Sequence, residues 1–293
     1  MMADYEIFTD SSCDLPKEII EQFDLKVMQL EVIIDDKPPV LNRDIDIKDF
    51  YEQLRNGANA KTSAVTLGHF EENMTAALEA GKDILYLGFS SGLSVTYSNG
   101  ALVLEELKEK YPDRTILYTD TLCGSIGQGL VVYYAAKLRE EGKSMEEVLE
   151  TVEGFKDRVH HHITVNDLFF LKRGGRISAA SAVAGTVLQF KPIIIVDENG
   201  KLSNIGKVRG RKTSINELFS MLKKVQKFEE LPYVFISHSD CLDDVNHLAD
   251  MIKAEFPNTE ILIGDIGPVI GAHTGPGAIA LCHVGKTIKG ILE

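Results

Sequence analysis

Most of the chemistry this sequence could perform lies in two hydroxyl-rich loops and one histidine set among glycines. Lys61-Thr62-Ser63-Ala64-Val65-Thr66 and Ser90-Ser91-Gly92-Leu93-Ser94-Val95-Thr96-Tyr97 each stand just ahead of a helical pattern. Hydroxyls there, together with the free N–H groups of a first helical turn, suit a carboxylate or a phosphate. Ser and Thr also cap helices for purely structural reasons, so neither loop is decisive alone. Gly264 to Gly277 holds five glycines and two prolines around His273, a histidine able to donate to an anion or to serve as a core residue in a tight turn. Thr9-Asp10-Ser11-Ser12-Cys13-Asp14 places Asp10 where it could fix backbone donors, or form an Asx turn.

Several other signals fail. Gly285-Lys286-Thr287 resembles the end of a phosphate-binding loop, but Ala280 stands where the earlier glycine is required. No GxGxxG follows a strand, and no serine sits in a GxSxG elbow. His160, His161 and His162 are consecutive, so on a strand they alternate faces and cannot all ligate one metal. Cys13, Cys123, Cys241 and Cys282 lie far apart without a CxxC pair, which fits reduced thiols.

The elements needed to position these loops follow from periodicity and caps. Strands are expected at Tyr5 to Thr9, Val27 to Ile34, Asp83 to Phe89 and Thr115 to Thr119, alternating with helices at Pro16 to Phe23, Asp46 to Leu54, Gly68 to Ala80, a stretch ending near Lys110, and Ser125 to Glu141. Ser144 and Glu147 form a capping box for one more helix, ending near Arg158. Such alternation means βαβ units and a mainly parallel sheet. The second half is read as a strand at Ile163 to Leu171, a helix near Ala179 to Leu188, and a hairpin of Ile193 to Val196 and Leu202 to Ile205 turned by Asp197-Glu198-Asn199-Gly200. Then come helices at Ile215 to Gln226 and Val245 to Phe256, and strands at Tyr233 to Ser237, Glu260 to Ile263 and Ala278 to Val284. The expected fold class is α/β: two packed α/β domains, residues 1–158 with a mainly parallel sheet flanked by helices, and residues 159–293 with a mixed sheet.

The chain of 293 residues carries a formal net charge of −13, which argues against nucleic acid as a partner. From Leu171 to Lys212, however, nine basic residues face two acidic ones, so an island of +7 sits on a remainder of −20. That asymmetry suggests one local anionic or acidic partner. No apolar run is long enough to span a bilayer, and the first residues lack a signal-peptide core, so a cytoplasmic protein is expected.

The strings TDSSCDL, SSGLS, LKRGGRI and IGPVIGAHTGPGA, in this order over nearly the whole chain, resemble the DegV family, whose best understood members look like the fatty-acid-binding subunits of bacterial fatty acid kinase. The resemblance implies a carrier, not an enzyme, that holds a long-chain fatty acid with its carboxylate between two domains. It would present that carboxylate to a kinase subunit supplying ATP and pass the acyl phosphate to an acyltransferase, with no other cofactor and at most transient contact with a membrane surface. Carried over by position, Thr62, Ser63, Ser90, Ser91, Ser94 and His273 match the carboxylate-binding loops. Arg173 and Arg176 match the RGGR segment and Arg209 the following basic stretch, both associated with partner docking. Phe169, Phe170, Val183, Val187 and Leu188 are expected in the acyl tunnel. TSAVT and Val95 depart from strings common in the family, which is expected to alter pocket shape. Two other readings stay open: a Ser/His hydrolase or small phosphotransferase using Ser94 or Ser91 with His273, and a module binding a different amphipathic acid.

Overall fold

In the computed structural model, the described residues are 5–166, 168–177 and 189–287. The chain opens with a βαβ pattern: β1 (Tyr5–Asp10), α1 (Lys17–Gln22) and β2 (Lys26–Met28). β3 (Glu31–Ile34), β4 (Val40–Leu41), α2 (Ile47–Arg55) and β5 (Ala60–Ser63) follow. Next come α3 (Leu67–Glu79), β6 (Asp83–Gly88), α4 (Thr96–Lys110), β7 (Ile116–Asp120), α5 (Ile126–Glu140) and α6 (Met145–Phe155). The second half holds β8 (Val159–Thr164), α7 (Phe169–Arg173), β9 (Phe190–Val196), β10 (Leu202–Arg209), α8 (Arg211–Val225), β11 (Tyr233–His238), α9 (Leu242–Glu255), β12 (Glu260–Asp265), α10 (Pro268–Thr274) and β13 (Ile279–Val284).

The first sheet is parallel throughout, in the order β2-β1-β6-β7. A small antiparallel sheet, β4-β3-β5, stands apart from it, and the second half builds one mixed sheet, β10-β9-β8-β13-β11-β12. Two α/β domains, the first mainly parallel and the second mixed, thus pack together as the sequence pattern implies. α5 lies between the large sheets. Its residues from Ile126 to Val132 are buried without a break, as expected of a helix covered on all sides. One apolar cluster accordingly joins Ile7, Leu85 and Leu130 to Ile194, Phe235 and Ala280.

Local chemistry accounts for several ends. Ser144 Oγ accepts from Glu147 N at 3.2 Å, and the Glu147 carboxylate accepts from Ser144 N at 2.8 Å, completing the capping box. Asp197 Oδ1 accepts from the backbone N–H groups of Asn199 (2.9 Å) and Lys201 (3.1 Å), which closes the hairpin.

Three expectations need correction. Val27 to Ile34 is not one strand: β2 pairs with β1, whereas β3 belongs to the small sheet. Ile163 to Leu171 is not a strand either, because β8 ends at Thr164 and the chain turns into α7. The loop around His273 contains a short helix, α10, begun by Pro268 at its first position. The helix expected near Ala179 to Leu188 lies outside the described residues except at its edge. Among the described residues no helix is long and apolar enough to cross a membrane, and no group of three or more His, Cys, Asp or Glu could hold a metal ion.

Candidate functional site

β5 and α10 come from opposite halves of the chain, yet they bring Thr62 Oγ1 to 2.9 Å from His273 Nε2. Both side chains line a cavity of about 410 Å³ together with Ser91, Ser94 and Arg176. The same wall includes Ile270, which also borders a small apolar cavity of about 50 Å³ lined by Ile163, Leu171, Ile194, Val196 and Ile266. A polar chamber therefore adjoins an oily recess across one isoleucine.

Each polar side chain reaches the chamber for a local reason. Thr62 pairs with Val32 in the small sheet, and its neighbour Ser63 pairs with Glu31. Because successive strand residues point to opposite faces, Ser63 does not share the wall with Thr62. Ser94 accepts from Thr96 N at 3.2 Å and lies 2.9 Å from Thr96 Oγ1, which opens α4. Ser91 is exposed, and its backbone N–H donates to the Asp120 carboxylate at 3.2 Å. Below the loop, buried Asp10 accepts from Phe89 N at 2.9 Å and from Gln128 Nε2 at 3.2 Å, so the carboxylate after β1 serves as a brace for the Ser-rich turn.

Ser90 departs from expectation. Its hydroxyl is buried and donates to Gly200 O at 2.7 Å, tying the Ser-rich loop to the β9–β10 turn instead of facing the chamber. Gly92 is pressed against the same turn, where a Cβ would meet Asn199 O and Gly200 O.

His273 is held by the RGGR segment. A Cβ on Gly174 would overlap its Nδ1, and a Cβ on Gly275 would overlap the Phe170 ring. Burial, with Arg176 and Arg173 nearby, pushes the imidazole down to about 4, so it is neutral at pH 7. Nδ1 is buried without a hydrogen-bond partner among the described residues.

Arg176 points inward. Its Nε donates to Leu93 O at 3.2 Å and its Nη1 to Gly174 O at 2.5 Å; it forms no ion pair among the described residues. Burial lowers its pKa. Sequence reasoning placed Arg176 on a docking surface, because spacing along the chain does not reveal which side of a turn faces a cavity. Arg173 is exposed and lies over the Phe169 and Phe170 rings, 5.3 and 4.9 Å from their centroids. Arg209 is exposed and bonded to Gln189 Oε1. Phe169, expected in a tunnel, is 61% exposed; Phe170 packs beside the cluster containing Val269 and Ala272. Val183, Val187 and Leu188 lie outside the described residues.

A sequence model of the DegV family, described as uncharacterised proteins, matches residues 4–286. The chain belongs to the DegV family. A DegV domain-containing protein of Clostridium perfringens is 43% identical over 98% of this chain and 99% of its own length. Among solved DegV structures, one from Thermus thermophilus, described for its fatty acid binding, is 30% identical with a TM-score of 0.85, covering 96% of this chain and 99% of that one. Another, described as a fatty acid binding protein from Bacillus subtilis, is 27% identical with a TM-score of 0.84, covering 97% and 100%. The DegV strings thus meet in space: SSGLS, RGGR and HTGPG supply three walls of one chamber.

Proposed function

We propose that this chain is a fatty-acid carrier, not an enzyme. The observation that carries the reading is the Thr62–His273 pair in a polar chamber that borders an apolar recess, in a protein similar to DegV members described as binding fatty acids. Each buried methylene contributes about 0.8 kcal/mol, so a tail can supply most of the affinity. The carboxylate must be hydrogen-bonded, because burying it bare costs several kcal/mol. Thr62 and Ser94 offer hydroxyl donors, His273 orients the Thr62 hydroxyl, Ser91 stands at the mouth, and Arg176 offers charge. The neutral imidazole with Nε2–H would donate to Thr62 Oγ1, leaving the Thr62 hydroxyl proton for the ligand.

The same geometry weighs against a Ser/His hydrolase. A nucleophile needs a base within hydrogen-bond reach and a third group to orient that base. His273 contacts Thr62, while Ser94 is bonded within its own turn. Among the described residues His273 Nδ1 has no orienting partner, and a base near 4 removes protons poorly at neutral pH.

Native mass spectrometry of the purified protein is expected to show a bound long-chain fatty acid. Thr62→Val, which keeps the shape and removes the hydroxyl, is expected to weaken binding about tenfold, or about 1.4 kcal/mol. Protein that carries no lipid and takes up none, or a variant with unchanged affinity, refutes the carrier reading and the role of Thr62 respectively.

In the finer reading the carboxylate is presented to a separate kinase, and an acyltransferase receives the acyl phosphate, in the cytoplasm. We place the domain boundary at residues 158 and 159, since no sheet mixes strands from the two sides of it. Exposed Arg173 and Arg209 are proposed as docking cations for an acidic face of the kinase. Arg173→Ala with Arg209→Ala should spare fatty-acid affinity and slow kinase-coupled acyl-phosphate formation at least several-fold. Normal coupling in the double variant would remove these residues from docking.

A further inference from the structure

α10 belongs to the second half of the chain, but its start is fastened by the first. Pro268 has no N–H, and the N–H groups on either side of it are both accepted by side chains of the first half. Gly267 N donates to Asp14 Oδ1 at 2.9 Å, and Val269 N donates to Asn42 Oδ1 at 2.9 Å. Just ahead of them the Tyr51 hydroxyl donates to Ile266 O at 2.6 Å. Asp14, half-buried, is fixed in turn: Ser125 Oγ donates to its Oδ2 at 2.6 Å and lies 3.0 Å from Ser237 Oγ. Ser125 holds this contact at φ +51° and ψ −145°, a conformation that costs a residue with a side chain about 1–3 kcal/mol. The strain falls where the turn after β1 and the starts of α5 and α10 meet.

The helix so fastened carries two groups that shape the chamber. Ile270 and His273 are three positions apart, hence on one face, and both line the chamber, whereas neither Asp14 nor Asn42 is part of its wall. His273 stands about one turn beyond Val269, so a tilt of the first turn is passed directly to its imidazole. We propose that Asp14 and Asn42 are positioning residues for the head group: by fixing the start of α10 to the first half of the chain, they set His273 against Thr62 and Ile270 between the chamber and the apolar recess. The inference rests on the carrier reading for its effect on lipid; its effect on His273 does not.

Fatty-acid affinity measured in a double-mutant cycle tests this. Asp14→Ala is expected to weaken binding about tenfold in the wild-type background and by less than about twofold beside Thr62→Val, where the contact it supports is already gone. Equal losses in the two backgrounds would mean that Asp14 stabilises the fold and nothing more, and would overturn the proposal, as would no loss in either. Asp14→Asn keeps an acceptor for Gly267 N and supplies a donor to Ser125 Oγ, so it should hold affinity within about threefold of wild type. A loss as large as that of Asp14→Ala overturns the clamp. Should Asp14→Ala not fold, Asn42→Ala takes its place in the cycle, with an expected loss of about fivefold that again vanishes beside Thr62→Val. Nitrogen-15 NMR of lipid-free protein separates this from failure of the carrier reading. Asp14→Ala is expected to move the His273 Nε2 signal in the direction that Thr62→Val moves it, whether or not lipid binds. An unmoved signal overturns the positioning role and leaves the carrier reading untouched.

Discussion

Gly174→Ala is expected to lower fatty-acid affinity by about ten- to a hundredfold while leaving the protein folded. The backbone at Gly174 is ordinary right-handed helix, with φ −74°, so the new methyl adds no conformational strain. What it meets is His273 Nδ1. Overpacking of this kind costs about 1–3 kcal/mol, and the imidazole can relieve it only by moving away from Thr62. The hydrogen bond at 2.9 Å is then lost and the carboxylate site with it. Gly175→Ala is the matched control. Its φ of +72° makes alanine strained, yet nothing lies within 4 Å of the added carbon. That variant should lose about 1 kcal/mol of stability with unchanged lipid affinity. Equal lipid affinity in both variants would show that Gly174 does not position His273.

Acid is expected to destabilise this protein as the pH falls below about 6.5. His160, His161, His162, His238 and His283 are buried and His273 is half-buried, and burial pushes each of them below the ordinary value of 6.5, His161 to about 4 and His283 to about 3. Three of them stack: the His160 and His283 rings lie 5.3 Å apart, and His162 Nε2 is 3.0 Å from His283 Nε2. A depressed histidine contributes stability that is complete above about pH 6.5 and lost as the pH falls towards its folded value. For His161 alone this is on the order of 3 kcal/mol by pH 4.

Two carboxylates act in the opposite sense. Burial raises Asp10, and raises Asp14 to about 7, so on acidification these favour the folded state. Six histidines against two carboxylates leave the unfolded state taking up more protons than the folded one below about pH 6.5, so stability falls as the pH is lowered towards 5. The chain has no tryptophan, so the measurement is urea denaturation followed by circular dichroism between pH 7.5 and 5. A midpoint that does not move over that range would contradict the buried neutral state of these rings. His161→Gln should flatten the dependence.

Much of the frame was legible because local signals and tertiary structure agree. The capping box at Ser144, the Asp197-to-Gly200 turn and the strand–helix alternation of the first half each report a nearby physical constraint. The division of Val27 to Ile34 between two sheets was not legible, since an apolar run looks the same whichever sheet receives it. The site was visible as loops and not as geometry. Thr62 and His273 are separated by 211 positions, so their pairing is a property of the packed domains. Ser90 and Ser91 are equivalent as letters; only the Gly200 carbonyl distinguishes them. Arg176 was read as a surface charge because the approach of Leu93 O and Gly174 O leaves no trace in sequence.

β10 forms one edge of the six-stranded sheet, with Ile205 43% exposed and a bulge between Asn204 and Gly206. Exposed strand edges invite pairing with other chains, and bulges and positive charges are the usual protection. Lys207 and Arg209 stand on this edge, so they also guard against self-association. Any experiment that neutralises the edge to probe docking will at the same time uncover a template for aggregation. Sedimentation of each variant must therefore accompany its kinetics, or a clumped protein will be mistaken for one that has lost its partner.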